Sequence, residues 1–531
     1  MPRGITFWAR AAALLLLGLS APAHSGAVLT VNLLGEPAFA QGCPMFCTLR
    51  DAINQSVSGD TIRFAANIDG QTILLTEYTD ALSGTEFGPS AFFITGNTAL
   101  TVDGITGMSL GVTIARDASA DKFRLFDVDS GSSLTLAGVT LANGFARGFD
   151  GIGSGGASLG AGGAIFNAGT LAIERCTLRN NVALGGAFSS STSVVLGGAG
   201  VGQSGPGVPQ GQGGGPNGGA SGVNYPGLPG GFGGGGAGGV SNSLSSGGSG
   251  GHGGFGGAGG AGGYSGGFSA TPGAPGGNGG FGAGGGEGGT GNGIYSSVHA
   301  ASGIDGYGAY HSIGGSMGGA IFNDAGTVTI KNSTLTGNAA QSAGASAFGG
   351  AIFNYNGSLT LDFVTMAGNA VDSSKGNGVA IYSLGDSLSS CQSGANPCTA
   401  GGHILTMNNS IAANKMFFVD IYDVVVTAIN AAQSASFGSG NLIMTNDGFA
   451  GGIATASDPQ LEPLANNGGT TQTLLPALAS AAVDAIACNA TTDDQRGVTR
   501  PQLTGCDIGA VERKLFENEI FENGFDLDIV P

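Results

Sequence analysis

A six-residue motif that recurs along the chain constrains its fold most strongly. Gly-Gly-Ala-Ile-Phe-Asn occupies residues 162–167, 318–323 and 349–354, and a weaker copy, Ala-Ile-Tyr-Ser, occupies residues 380–383. Such self-similarity is typical of architectures in which each repeat packs only on its neighbours. The two full copies near the middle of the chain are 31 residues apart. This spacing leaves room for several strands of four or five residues in each repeat.

The residues behind each motif alternate between polar and apolar. In the segment after residue 326, polar and apolar residues alternate with the period of two that is typical of a strand. This alternation predicts that Val328 and Ile330 point inward and that Thr327 and Thr329 point outward. Gly and Asn recur at the ends of such pieces, where the backbone must turn. We therefore predict an all-β fold, a parallel β-helix over residues 60–186 and 318–455, right-handed as parallel connections favour. About 25 residues per rung gives roughly ten rungs, about 4.8 Å apart.

Residues 187–317 interrupt the repeat with a low-complexity insertion. Glycine makes up roughly two-fifths of it, and its charged residues are Glu287 and Asp305. Because glycine buries little surface and loses much entropy on ordering, the composition favours a loose excursion. Aromatic residues recur through it, and they serve either as adhesive contacts or as anchors that pack the insertion on the rod. They are Tyr225, Phe232, Phe255, Tyr264, Phe268, Phe281 and Tyr295.

The N-terminus has the features of a secretory signal. Arg3 and Arg10 precede or flank an apolar run that ends at Leu19, and small residues suitable for cleavage follow. The run is too short to span a membrane, and no later stretch approaches the length of a transmembrane helix. We therefore predict that residues 1–25 are removed and that the protein is secreted or surface-bound. The net charge of −18 disfavours nucleic acid and anionic lipid as partners.

The seven cysteines also suit an oxidising compartment. Six of them fall into local pairs, and these are the disulfide candidates: Cys43 with Cys47, Cys391 with Cys398, and Cys488 with Cys506. Cys176 aligns with Ser333 and Val364 of the other repeats, which predicts a buried core thiol. The five histidines are scattered, so we predict neither a metal site nor a cofactor.

Residues 47–53 form a short helix candidate near the N-terminus. Thr48 is suited to cap the helix, and Asp51 holds the reciprocal capping-box position. Leu49, Ala52 and Ile53 share one face, which we expect to cover the open end of the first coil. This Cys-Thr-Leu-Arg-Asp-Ala-Ile stretch resembles the CSLREA domain, and the upstream Cys43 matches the cysteine usual there. The resemblance implies an N-terminal cap at residues 26–59 of an exported β-helix protein.

The C-terminal region resembles the choice-of-anchor Q domain. The resemblance rests on Leu-Ala-Asn-Asn-Gly-Gly-Thr-Thr-Gln-Thr at 464–473, Asp-Gln-Arg-Gly at 494–497 and Cys-Asp-Ile-Gly-Ala-Val-Glu at 506–512. The Gly-Gly-Ala-Ile repeats also resemble those of polymorphic outer membrane proteins, which are carried by adhesins. Together these resemblances imply export and a β-helix, with a C-terminal cap at residues 456–512. They imply no established catalytic activity.

The ionic side chains of this cap are expected to form a network that clamps the last coil, closed by Cys488 and Cys506. The members of the network are Asp484, Asp494, Arg496, Arg500 and Asp507. Residues 513–531 form an acidic and aromatic tail, for which we hypothesise a role as a secretion or sorting tag. Unchanged export and surface retention after deletion of residues 514–531 would contradict that role.

The sequence favours a non-catalytic adhesin or matrix protein. Its partner would be an extracellular glycan, or a surface protein of a host or neighbouring cell. A polysaccharide lyase or glycoside hydrolase is the alternative, because β-helices often host such enzymes. Their chemistry needs charges gathered at one site. The repeats offer only charges that lie apart in the sequence, so we assign no catalytic residue. They are Glu174, Arg175, Lys331, Asp362 and Lys375. A structural surface-layer component that assembles without a ligand is a third possibility.

Overall fold

A computed structural model describes most of the repeat region and parts of the insertion. The described residues are 26–36, 42–78, 88–151, 153–187, 218–220, 226–240, 247–265, 273–289, 312–342, 344–372, 375–387, 402–414, 420–488 and 492–514. The predicted signal segment, the pair Cys391 and Cys398, and the tail beyond residue 514 lie outside these ranges.

Fifteen short strands and one helix precede the insertion in this part of the chain. They are β1 (Val28–Val31), α1 (Leu49–Gln55), β2 (Thr61–Phe64), β3 (Thr72–Leu75), β4 (Ser90–Ile94), β5 (Ala99–Asp103), β6 (Val112–Arg116), β7 (Arg124–Val128), β8 (Ser133–Ala137), β9 (Val139–Ala142), β10 (Phe145–Arg147), β11 (Gly160–Ala161), β12 (Ile165–Asn167), β13 (Thr170–Glu174), β14 (Thr177–Arg179) and β15 (Val182–Leu184). A single turn of 3-10 helix spans Ala66–Ile68.

A second set of strands follows the insertion. They are β16 (Ser316–Met317), β17 (Ile321–Asp324), β18 (Thr327–Thr336), β19 (Ala339–Gln341), β20 (Ala347–Phe348), β21 (Ile352–Tyr355), β22 (Ser358–Ala367), β23 (Ala370–Asp372), β24 (Ile381–Asp386), β25 (Gly402–Asn408), β26 (Ile411–Ala413), β27 (Val424–Ile429), β28 (Gln433–Phe437), β29 (Asn441–Ile443), β30 (Asn446–Asp447) and β31 (Ile453–Thr455).

The chain folds as a parallel β-helix, as the repeats predicted. One sheet consists of two series of paired strands, which we call limbs. The first limb runs β1-β2-β5-β8-β13-β18-β22-β25-β28, and the second runs β3-β6-β9-β14-β18-β22-β26-β29-β31. The long strands β18 and β22 bend and belong to both limbs. Another sheet runs β4-β7-β12-β17-β21-β24-β27-β30. Ile165 pairs with Phe126 on one side and Ile321 on the other, so the rungs that flank the insertion are direct neighbours.

The interior of the solenoid is a stack of aliphatic side chains. Val328 and Ile330 are fully buried while Thr327 and Thr329 are exposed, which confirms the predicted alternation. The bend between the two limbs places one residue per rung in the left-handed backbone region. These residues are Gly138, Arg175, Asn332, Phe363, Asn409 and Gly440. Asn and Gly tolerate this conformation best, which explains their recurrence at the ends of the repeats.

Identical side chains also stack where the motif Asn and Phe recur. Phe322 stacks face to face on Phe166 and on Phe353, with ring centroids 5.3 Å apart in each case. These rings lie on the outer side of the sheet, and the Asn residues that follow them lie on its inner side. Both sets are buried, and the Asn side chains bond to one another from rung to rung. The motif thus provides one polar and one aromatic ladder along the rod.

Helix α1 closes the first coil as predicted. Thr48 and Asp51 form the reciprocal capping box. Leu49, Ala52 and Ile53 are buried in the main hydrophobic core, so the helix covers the apolar end of the stack. Cys43 and Cys47 form a disulfide immediately before it. At the opposite end of the rod, Phe449 packs into the same core.

The described parts of the insertion form an ordered glycine bundle rather than a loose excursion. We use "glycine bundle" for residues 226–240, 247–265 and 273–289. Backbone N–H groups of Gly227, Gly230 and Gly233 donate to the neighbouring segment at 2.8–2.9 Å. This period of three is that of an extended polyproline II helix, which has no hydrogen bonds of its own. A Cβ atom on Gly254 would overlap the carbonyl of Gly231, so the close packing requires glycine.

Three phenylalanines attach the glycine bundle to the rod. Phe232, Phe255 and Phe281 stack on one another with centroids 5.3 and 5.4 Å apart. They also pack on the aromatic ladder and beside it: the ring centroid of Phe255 lies 6.2 Å from that of Phe353 and 4.2 Å from that of Tyr355. These rings are therefore anchors. Of the other rings in the insertion, Tyr264 is exposed, whereas Tyr225, Phe268 and Tyr295 lie outside the described residues.

The C-terminal region packs on Leu442 of the late strand β29 through Ala482 and Ile508, and it also extends along the flank of the rod over earlier rungs, which the prediction of a clamp on the last coil did not include. Thr471 donates to the carbonyl of Arg175, Gln495 bonds Thr177 and Thr334, and Ala510 donates to Thr365. The region therefore crosses several rungs and buries the outward threonines of the second limb. The sequence could not reveal this, because the contacts join residues about 145 to 320 positions apart.

Candidate binding face

The outer surface of the first limb carries two columns of hydroxyl side chains. Inward residues of these strands are aliphatic, so period-two alternation leaves every second side chain outside. The parallel register brings equivalent positions of successive rungs side by side. One column contains Ser133, Thr170, Thr327 and Ser358. The other contains Thr61, Thr101, Thr135, Thr329, Thr360 and Thr406, and Ala172 interrupts it between Thr135 and Thr329. We call these two columns the hydroxyl face.

The geometry of the hydroxyl face follows from the sheet. Neighbouring rungs lie about 4.8 Å apart, and alternate residues along a strand lie roughly 6.6 Å apart. The columns therefore present a nearly regular grid of hydroxyl groups. Thr170, Thr327 and Thr329 are exposed, and the remaining Ser and Thr side chains of the two columns are half-buried. Such a grid offers both donors and acceptors of hydrogen bonds at a constant repeat.

A row of charges borders the hydroxyl face at the next outward position. Glu174 pairs with Lys331, and Lys331 pairs with Asp362, on three successive rungs. In the sequence these three charged residues lie far apart. The structure brings them side by side, which corrects the expectation that the charges of the repeats are separated. Burial raises the pKa of Asp362, and nearby Lys331, a hydrogen bond from Asn409 and the charge of Arg500 only partly oppose it. We call these three residues the charged row.

The two other charges singled out in the repeats lie elsewhere. Arg175 forms an ion pair with Asp493 of the C-terminal region, with 3.0 Å between Nη2 and Oδ2. Lys375 lines a separate pocket of about 330 Å³ together with Phe348 and Asn377. Neither residue adds a charge to the charged row, so the row contains two carboxylates and one ammonium group. On earlier rungs the same outward position holds Arg63 and Asp103, which form an ion pair and add no net charge.

An exposed aromatic ring terminates the hydroxyl face. Phe437 of β28 pairs with Thr406 and therefore continues the column of Thr329 and Thr360. Its side chain is 55% exposed, although Phe is usually buried. Ile404, one rung earlier in the adjacent column, is also exposed. The sequence reasoning missed Phe437, and the only signal was a Phe in an outward position of an alternating strand.

The predicted ionic network exists, and its role is to hold the C-terminal region together. Arg500 is fully buried, donates to Glu512 at 2.9 Å and lies over the ring of Phe363. Asp494 accepts from Arg496 at 2.9 Å. Burial raises the pKa of Asp507 to about 7. Cys488 and Cys506 form a disulfide in this region. Asp484 accepts a backbone hydrogen bond from Gly505, which adds a further link.

The remaining sequence candidates add no reactive group. Cys176 is a free, fully buried thiol, and burial raises its pKa to about 12, so it stays protonated. No group of three or more His, Cys, Asp or Glu side chains within the described ranges is arranged to hold a metal ion. In the same ranges, no helix is both long and apolar enough to cross a membrane.

Comparison with known proteins gives only weak likenesses to solved structures. No family model matches the chain, and no curated protein sequence is similar to it. Among solved structures, pectate lyase Pel9A aligns over 92% of this chain and 97% of its own, at 12% identity and a TM-score of 0.27. A rhamnogalacturonan lyase aligns over 77% of this chain and 86% of its own, at 12% identity and a TM-score of 0.20. Likenesses this weak carry no argument about ligand or reaction.

Proposed function

We propose that this is an exported, extracellular protein that binds polysaccharide chains along its hydroxyl face without cleaving them. The observation that carries the proposal is the strict register of the hydroxyl columns over successive rungs. A polysaccharide is itself a repeating array of hydroxyl groups, so a periodic face can bind it through many weak contacts. An adhesin or matrix role follows from that mode of binding.

Export is supported by features at both ends of the chain. The predicted signal segment precedes two disulfides, and disulfides persist in oxidising compartments. The CSLREA-like and choice-of-anchor Q-like segments point the same way, and we propose that they mark a member of that class of exported β-helix proteins. We also propose that the choice-of-anchor Q-like segment takes part in attachment to the cell.

A panel of insoluble polysaccharides tests the proposed binding. Purified protein is incubated with each polymer, and bound protein and polymer chain length are followed together. We expect retention without shortening on at least one polymer. The Thr329→Val/Thr360→Val variant removes two hydroxyls but keeps side-chain shape and strand propensity, so we expect weaker retention. Thr427→Val, on β27 of a different sheet, is the matched control and should bind normally.

Cleavage of a glycan is the second candidate, and the charged row favours it. Glu174 and Asp362 are two rungs apart, roughly 10 Å between backbones, close to the carboxyl separation used in inverting hydrolysis. The raised pKa of Asp362 suits a proton donor. Release of reducing ends that is lost in both Glu174→Gln and Asp362→Asn would establish cleavage. Absence of shortening over the panel supports binding alone.

A further inference from the structure

Phe437 occupies a position where an aromatic ring contributes nothing to the hydrophobic core. In β28 the inward residue beside it is Ser436, and the main core at this end of the rod is filled by Phe449. Phe437 itself points outward, in the column of Thr406. Exposed aromatic rings in the described part of the chain are rare, namely Phe46, Tyr264 and Phe437, and Phe437 alone of these three lies on the hydroxyl face.

The surroundings of Phe437 fit a sugar ring better than an apolar partner. Its neighbour in the sheet is Thr406, and Asn408 lies two residues further along the same strand. An aromatic ring packs well on the C–H face of a sugar, while nearby hydroxyl and amide groups bond the sugar hydroxyls at its rim. The side-chain oxygen of Asn408 already accepts from the backbone N–H of Ser439. A purely apolar partner would still desolvate the hydroxyl of Thr406 and the side-chain N–H groups of Asn408 without replacing their hydrogen bonds to water.

The negative charge of the protein favours an uncharged polysaccharide over an acidic one as the ligand. The charged row that borders the face has two carboxylates and one ammonium group, and the whole chain carries a net charge of −18. A polyuronate would bring further negative charge against this surface and would be repelled. An uncharged polysaccharide meets no such penalty.

We infer that Phe437 is the stacking subsite for a neutral polysaccharide whose chain runs from there along the hydroxyl face. This inference rests on the proposed function and adds the anchoring residue and the class of ligand. Truncating an aromatic anchor of a binding site commonly weakens binding by about tenfold or more. Because the side chain is largely exposed, Phe437→Ala should leave the fold intact.

A tryptophan reporter tests the subsite directly. The chain contains one Trp, at position 8 in the predicted signal segment, so Phe437→Trp introduces a defined fluorophore at the site. The probe is the neutral polymer retained best by the wild-type protein, with polygalacturonate as the acidic comparison. We expect Phe437→Trp to bind with near wild-type affinity and to change its emission on binding. We expect Phe437→Ala to lose about tenfold in affinity, and Ile404→Ala to lose less.

The outcomes separate this inference from the proposed function. If the wild-type protein is retained by a neutral polymer but Phe437→Ala binds equally well and the Trp emission is unchanged, the subsite is wrong and the proposed function stands. Tighter binding of polygalacturonate than of every neutral polymer overturns the assigned ligand class. No retention by any polymer overturns the proposed function together with the subsite.

Discussion

Asn323 donates a side-chain hydrogen bond of 2.7 Å to Oδ1 of Asn354, its counterpart 31 residues later on the next rung. Asn167 donates to Asn323 in the same way, and Asn354 donates onward to Ser383. All four side chains are fully buried. Each Asn therefore supplies the hydrogen-bond partner of its neighbour, and only Oδ1 of Asn167, at the start of the ladder, accepts no hydrogen bond among the described residues.

Replacement of Asn354 should destabilise the rod. Asn354→Ala removes one of the two hydrogen bonds that the side-chain amide of Asn323 donates, since the other goes to the carbonyl of Gly326, and it removes the donor to the hydroxyl of Ser383. We expect a loss of about 1–3 kcal/mol in the free energy of unfolding. Chemical denaturation followed by circular dichroism measures it. Asn54→Ala, at an exposed position of α1, is the control and should be close to neutral. Equal stability of the two variants would contradict the ladder.

Truncation of Phe255 should release the glycine bundle before the rod unfolds. The ring stacks between Phe232 and Phe281 and contacts Tyr355, so Phe255→Ala removes the centre of the attachment. Loss of a large buried ring costs about 3–5 kcal/mol. Limited proteolysis should show faster cleavage within residues 226–289, with the rungs still protected. Tyr264→Ala, an exposed ring of the same bundle, should behave as wild type.

Asp324 should make the protein less stable as pH rises. Burial raises its pKa from 3.8 to about 7 in the folded state. Between these two values the unfolded chain loses the proton while the folded chain keeps it, so the free energy of unfolding falls with increasing pH and levels off above about 7. Asp324→Asn should therefore raise the melting temperature at pH 8 and change it little at pH 4. A rise in melting temperature seen only at pH 4 would contradict the predicted direction of the pH dependence.

Removal of Arg500 should loosen the C-terminal region from the flank. Arg500→Ala leaves Glu512 buried without its cationic partner, and breaking a buried pair costs about 3–5 kcal/mol. Arg147→Ala breaks an exposed pair with Asp150 and should cost about 0–1 kcal/mol. Amide hydrogen exchange of residues 458–513 distinguishes the variants. Similar exchange in both would mean that the buried pair does not hold the region.

Local patterns predicted the parts of the fold that depend on neighbouring residues. The alternation around Val328 places side chains correctly because period two is a property of a strand, and Thr48 and Asp51 define the start of α1 within one turn. The glycine bundle escaped prediction, since its period of three lies in backbone hydrogen bonds and leaves no hydrophobic pattern. Only the recurrent Phe residues within it indicated attachment.

The candidate binding face was predicted only in part. Outward threonines follow from alternation, but the charged row requires the register between Glu174 and Lys331, which the insertion separates in the chain. Glu174 and Lys331 become neighbours because the insertion begins after one rung and ends before the next. For the same reason the path of the C-terminal region across Thr177 and Thr334 could not be read from local sequence.

The most direct test of the binding face is hydroxyl-radical footprinting of the protein with and without its polysaccharide. We expect protection of Thr327–Lys331, Ser358–Asp362 and Ile404–Asn408, together with Phe437. We expect unchanged labelling of the glycine bundle and of residues 458–513. Protection confined to either of those regions, with the hydroxyl face still labelled, would show that the polysaccharide does not bind along the hydroxyl face.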